Sequence, residues 1–279
     1  MFPRQVRIGA SVGLLAVVSV HTARAQELLL QIRPRAGDTL RMRLDQETDY
    51  TSIGVTRTGV GPSSLVTTMA MFSRAIVEGE ANEETAVLAV TDSVRFWTTD
   101  QRRMGAARQL EAQLRGQRVR FRVTPEGLLA MEPAGGMPRE VAHLVSLMPA
   151  TFPKGPIRVG QTWMREMPLP SGTELAARLS GLLHVTLRLD SVTHSGELAF
   201  VSMRGEMQPA SGPGAASQAV LEKGSVDGTM VLDRKRGWLS ESWFHVVVMT
   251  SVTTPPAAAA LRMQMRITQH MRTAERRER

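Results

Sequence analysis

The chain has 279 residues, 42% of them hydrophobic and 22% charged, a globular composition that excludes a disordered or collagen-like protein. Its 34 Lys and Arg against 26 Asp and Glu give a formal net charge of +8, but aromatic residues make up only 4% and do not accompany the arginines, so the basic excess does not describe a nucleic-acid surface. With no cysteine there is no disulfide framework and no lipidated thiol, and stability must come from the apolar core.

In chain order, residues 1–25 read as a cleaved signal peptide. Arg4 and Arg7 precede the uncharged apolar run Ile8–Val20, and Ala23-Arg24-Ala25 forms an A-x-A cleavage site, so the mature chain is expected to begin at Gln26. The apolar run is well short of the roughly 20 residues of a membrane span, and no second run of spanning length follows. The expected address is periplasmic or secreted. Cleavage removes Arg4, Arg7 and Arg24 and lowers the formal charge to +5.

Residues 26–279 are expected to form a single β-rich domain. Leu40-Arg-Met-Arg-Leu44, Val119-Arg-Phe-Arg-Val123, Val185-Thr-Leu-Arg-Leu189 and Leu261–Ile267 alternate apolar residues with Arg, Thr or Gln. That period of two predicts a sheet with one buried and one wet face. Hairpin turns are predicted at 78–84, at Pro125 to Gly127, at 193–196 and at 232–238, where Gly237 can take a positive φ. Helical spacing appears in Gln101–Arg115, which Gly116 can cap, in Pro138–Met148, and more weakly in Thr173–Leu183. The stretches 54–64 and 209–219 read as loops, and 149–160 as a connector.

The connector separates two stretches with the same order of signals, about 27–150 and 156–270. Each opens on a Gly-x-Thr step (Gly37-Asp-Thr, Gly160-Gln-Thr), passes through a hairpin, and ends on strand, turn and strand. The expected architecture is a strongly curved antiparallel sheet or half-barrel built from two similar halves, with two or three short helices on its concave side.

The runs Arg35–Leu44, Pro156–Trp163 and Gly228–Ser242 resemble an uncharacterised family of exported bacterial β-rich proteins, grouped as a domain of unknown function. In fold that group is similar to periplasmic lipoprotein-carrier proteins. The resemblance implies a curved sheet that holds acyl chains in its concavity, and it implies no catalytic residue.

The residues themselves offer little catalytic chemistry. His143, His184, His194, His245 and His270 form no metal-binding spacing. No serine sits in a nucleophile elbow or three positions before a lysine, and Glu78, Glu80, Glu83 and Glu84 fall in an apparent hairpin tip. Neither a metal nor a cofactor is therefore expected, nor an enzyme. Methionine numbers 17, and its adaptable side chain suits apolar binding surfaces as well as cores. Trp97, Trp163, Trp238 and Trp243 suit either a pocket mouth or the ends of strands. The candidate apolar-ligand lining is Met42, Leu44, Phe121, Val123, Leu144, Met148, Leu187, Met230, Met263 and Met265. This predicts a non-catalytic carrier of a lipid or lipoprotein acyl chain. The alternative is an envelope scaffold that meets another envelope protein and takes no small ligand.

Overall fold

The computed structural model describes residues 27–53, 64–131, 152–168, 181–209, 219–252 and 261–273. The signal peptide, the helix expected at 138–148 with Leu144 and Met148, and residues 173–180 of the weaker helix lie outside them.

Eleven strands form one antiparallel sheet. They are β1 (Thr39–Ile53), β2 (Ser64–Ala81), β3 (Glu84–Thr98), β4 (Arg118–Val123), β5 (Leu129–Met131), β6 (Thr162–Pro168), β7 (Gly181–Val192), β8 (Leu198–Pro209), β9 (Ala219–Asp233), β10 (Trp238–Val252) and β11 (Leu261–Thr273). Their order is β5-β4-β3-β2-β1-β11-β10-β9-β8-β7-β6. Each half of the chain contributes a run of neighbouring strands, and the runs join where β1 pairs with β11 from Met42↔Thr273 to Ile53↔Arg262. The free edges are β5 and β6, so the sheet is not closed and is open at one seam.

The alternating patterns produce these strands as expected. Leu40 and Leu44 are buried while Arg41 is exposed, and in β4 Val119, Phe121 and Val123 are buried between exposed or half-buried arginines. The four predicted hairpins are present. Asn82 and Glu83 take positive φ at the tip between β2 and β3, and Gly127, Gly196 and Gly237 do so in the other three turns. Gly181 to Leu183 differ from expectation: they open β7 as a strand, because Leu183 continues the inward alternation of Val185, Leu187 and Leu189 and pairs with Met207.

One α-helix occurs among the described residues, α1 (Met104–Leu114), entered through a single 3-10 turn whose first N–H groups are capped by Asp100. Strand β4 pairs only with Thr85–Val90, which leaves the upper edge of β3 without a strand. The helix runs along that edge. Glu111 accepts a hydrogen bond from the Phe96 N–H at 2.7 Å, and Gly116, at φ 74, donates to Thr91 O at 2.8 Å. Leu114 inserts into the core with 1% exposure.

The degree of curvature follows from the segment before β1. Leu28, Leu30 and Ile32 alternate inward and are buried. Leu28 exchanges two 2.8 Å backbone hydrogen bonds with Ile157. The Ile32 N–H then donates to Pro125 O in the β4–β5 turn, and the next residue, Arg33, donates to Gly237 O in the β9–β10 turn. In a flat sheet those two turns would stand roughly 29 Å apart at about 4.8 Å per strand. Consecutive residues reach both, so the sheet curls until the turns nearly meet, with its apolar face inside. Gly228 on β9 allows the curl, since a Cβ there would strike the Trp243 carbonyl oxygen and Phe244.

The two ends of this curled sheet differ. One carries the tight turns 82–83, 124–128, 193–197 and 234–237, and residues 28–33 are bonded to the second and the fourth. At the other, the described strands stop at Ile53, Ser64, Pro168, Gly181, Pro209, Ala219, Val252 and Leu261. Phe152, fully buried, joins the seam at the tight-turn end: its N–H donates to Glu126 O at 2.7 Å, and its carbonyl accepts from Arg165 of β6 at 2.8 Å.

Candidate functional sites

The concave face holds every described residue of the predicted lining. Met42 and Leu44 on β1, Phe121 and Val123 on β4, Leu187 on β7, Met230 on β9, and Met263 and Met265 on β11 all point to this side, as strand registry requires. Leu187 and Met230 are 1% exposed, and most of this face is one continuous core. The methionines concentrate here: Met42, Met69, Met71, Met203, Met207, Met230, Met263, Met265 and Met271 share the face. Tyr50, Leu65, Phe96 and Met263, toward the end away from the tight turns, remain partly exposed.

Polar residues interrupt this face where β1, β11 and β10 adjoin, a feature the sequence reading did not register. Gln46 pairs directly with Gln269, and the side-chain oxygens of both are buried without a hydrogen-bond partner. The Ser242 and Thr250 hydroxyls on β10 are buried and unpartnered too. Unpaired buried amides and hydroxyls are uncommon and costly in a pure core. The signal lay in the continuation of the inward period of β1 from Leu40 and Leu44 into Gln46 and Thr48.

A second concavity, of about 590 Å³, lies on the opposite face over β3, β2, β1 and β11. Two adjacent cross-strand rows build it. One runs Arg95, Ala70, Asp45, His270, and the other Trp97, Thr68, Glu47, Thr268. The small residues Ala70 and Thr68 on β2 leave a trough between the larger side chains of β3 and those of β1 and β11. Trp97 is 51% exposed.

Two polar groups around the trough already have partners. Asp45 is held in a fork by Arg43 at 2.8 and 3.0 Å, which raises the Arg43 pKa above its ordinary value through those hydrogen bonds and then the opposite charge. His270 contacts Glu241 at 2.7 Å. Arg95 and Glu47, on opposite walls, have no ion-pair partner among the described residues.

The other sequence candidates scatter. His184 lies 3.5 Å from Glu166 and His245 lies 3.6 Å from Asp227, each across a strand pair, while His194 sits in the exposed β7–β8 turn. Among the described residues no group of three or more His, Asp or Glu side chains could hold a metal. Of the tryptophans, Trp238 is buried at the start of β10, Trp163 is partly buried on β6, and Trp243 is exposed and stacked on His245 at 6.5 Å. Glu126, at the seam, has its carboxyl held below the usual range. The Thr124 side chain hydrogen-bonds to it first, then its own backbone N–H, with Lys154 and Arg165 adding positive charge.

No protein-family model matches the chain, and no curated protein matches it. Among solved structures, one of lipovitellin, described for its lipid–protein interactions, superposes with a TM-score of 0.52 at 9% identity over 87% of this chain. The match covers 26% of the lipovitellin chain, so this protein spans about a quarter of that length. DynF from the dynemicin biosynthesis pathway of Micromonospora chersina aligns at 8% identity and TM-score 0.22, over 95% of this chain and 92% of its own. An outer membrane channel from Pseudomonas putida F1 aligns at 7% identity and TM-score 0.23, over 88% and 98%. Of these three, the lipovitellin superposition alone is close enough to compare folds. No helix among the described residues is long and apolar enough to cross a membrane.

Proposed function

We propose that the protein is a non-catalytic carrier of an apolar ligand, a lipid or acyl chain, in the periplasm or outside the cell. The observation that carries this reading is the concave face. It is apolar and methionine-rich, belongs to a sheet that is open at one seam, and stays partly exposed at Tyr50, Leu65, Phe96 and Met263. Methionine adapts to ligands of varied shape, and an apolar concavity with a few polar groups is the usual form of a lipid site. The unpartnered Gln46 and Gln269 side-chain oxygens supply polar acceptors, which an amphiphile's hydroxyl would satisfy. The lipid–protein interactions described for lipovitellin, on which this fold superposes, point the same way.

The test is native mass spectrometry of the protein purified from the periplasm, paired with organic extraction. A stoichiometric lipid is expected, reduced at least tenfold in a Met263→Glu variant whose circular dichroism matches the parent. A bare polypeptide mass, an extract without lipid, and no uptake of a fluorescent fatty acid would overturn carriage and favour the scaffold, for which exposed Trp243, Phe72 and Phe200 offer contacts.

A further inference from the structure

We infer that the trough over Ala70 and Thr68 is a second binding site, for a small zwitterion bearing a phosphate and a primary ammonium, as a phosphoethanolamine group does. It lies on the face opposite the proposed lipid-binding face and does not depend on that reading.

The argument rests on how the two rows divide their chemistry. In the row Trp97, Thr68, Glu47, Thr268, an indole face and an unpaired carboxylate confront each other across a threonine. That arrangement holds a cation: the indole attracts it through its π-face, the carboxylate compensates its charge, and the two hydroxyls accept N–H donors. In the row Arg95, Ala70, Asp45, His270, the unpaired guanidinium stands over an alanine, with room for an anion above the methyl. Arg95 presents a planar fork of donors suited to phosphate oxygens. Asp45 lies in the same row, but Arg43 already compensates its charge through the fork described above.

The rows are two residues apart along each strand, roughly 7 Å. A phosphate and an ammonium joined by a two-carbon link can bridge that step. A simple anion would leave Glu47 unmatched, and a simple cation would leave Arg95 unmatched. An uncharged sugar would leave both. Glu111 also lines the trough and is already engaged by the Phe96 N–H, so a ligand of both charges, with the cation toward Trp97, matches the two unpaired groups Arg95 and Glu47 together.

The probe is O-phosphoethanolamine, titrated into the purified protein by calorimetry and tryptophan fluorescence. One equivalent should bind, with a fluorescence change lost in Trp97→Phe. Arg95→Gln and Glu47→Gln should each weaken binding at least tenfold, with circular dichroism unchanged, since all three side chains are exposed. Inorganic phosphate alone and ethanolamine alone should bind at least tenfold more weakly. The proposal is overturned if no heat is released, if phosphate alone binds as tightly, or if R95Q and E47Q leave affinity unchanged. Vesicles of phosphatidylethanolamine, against phosphatidylglycerol, identify the source. Sedimentation with the former, competed by O-phosphoethanolamine, assigns a membrane headgroup. Soluble binding without sedimentation assigns a free phospho-amine. E47Q should retain any lipid that co-purifies with the parent, so the two sites fail separately.

Discussion

Replacing Gly237 with alanine probes the contact that draws the sheet into its curl. The residue sits at φ 62, and a Cβ there would collide with the backbone carbonyl of Arg33. The left-handed conformation alone costs alanine about 1–2 kcal/mol. Displacing Arg33 also removes its hydrogen bond to Gly237 O, about 0.5–1.5 kcal/mol, and loosens Leu30 and Ile32, whose burial contributes about 1.5–3 kcal/mol each. Partial relaxation leaves an expected loss of about 2–4 kcal/mol, with Tm falling roughly 2–4 °C per kcal/mol. Gly196 is the control. It holds φ 72 at the tip of the β7–β8 turn, but its Cβ would meet only the tip of the Arg234 side chain at 3.4 Å. Its alanine variant should lose only the conformational part. Urea unfolding of both variants reads the difference. Equal losses would refute the claim that close approach of residues 28–33 to the β9–β10 turn holds the curl.

Other expectations follow from the seam and the core. Phe152→Ala should cost about 3–5 kcal/mol in urea unfolding, because a fully buried ring is removed from between the β4–β5 turn and β6; a loss under 1 kcal/mol would contradict its role at the seam. Glu126 has a folded-state pKa below its unfolded one, so it stabilises the fold above about pH 4 and loses that contribution as pH falls through the folded value. Glu126→Gln should therefore flatten the decline in Tm on acidification below about pH 4, and a parallel decline in both proteins would exclude this source. Gln269→Leu removes a buried, unpartnered amide oxygen and should leave ligand-free protein unchanged or raise its stability by about 1 kcal/mol. A marked loss in thermal melts would mean that the amide has a partner in solution.

Most strands were legible because each carries its own evidence. The alternation in Leu40–Leu44 or Val119–Val123 declares a buried face whatever lies beside it, and Gly127, Gly196 and Gly237 declare turns by the backbone each position needs. Pairing between distant parts of the chain was less legible. Nothing local in Leu44 names Met271 as its neighbour, so the β1–β11 junction and the polar belt of Gln46 and Gln269 could not be read in advance. The outer trough was hidden for the same reason. Trp97 and Arg95 are ordinary in sequence, and they face Glu47 and His270 only once the register of four strands is set. Helix α1 was found by its spacing and its capping glycine, whereas its place along the edge of β3 depends on where β4 stops pairing.

The junction at the middle of the sheet bears on how the chain is made. Every other pairing joins strands that follow one another, so each can form as its second strand appears. Strand β1, fifteen residues long, has one edge that waits for β11, the last strand to be synthesised. Until then the first half presents a long, unsatisfied row of N–H and C=O groups beside an uncovered apolar face, the kind of surface that recruits other chains. The growing polypeptide therefore needs shelter along β1 for nearly the whole of translation, and release from that shelter coincides with the pairing of β1 and β11.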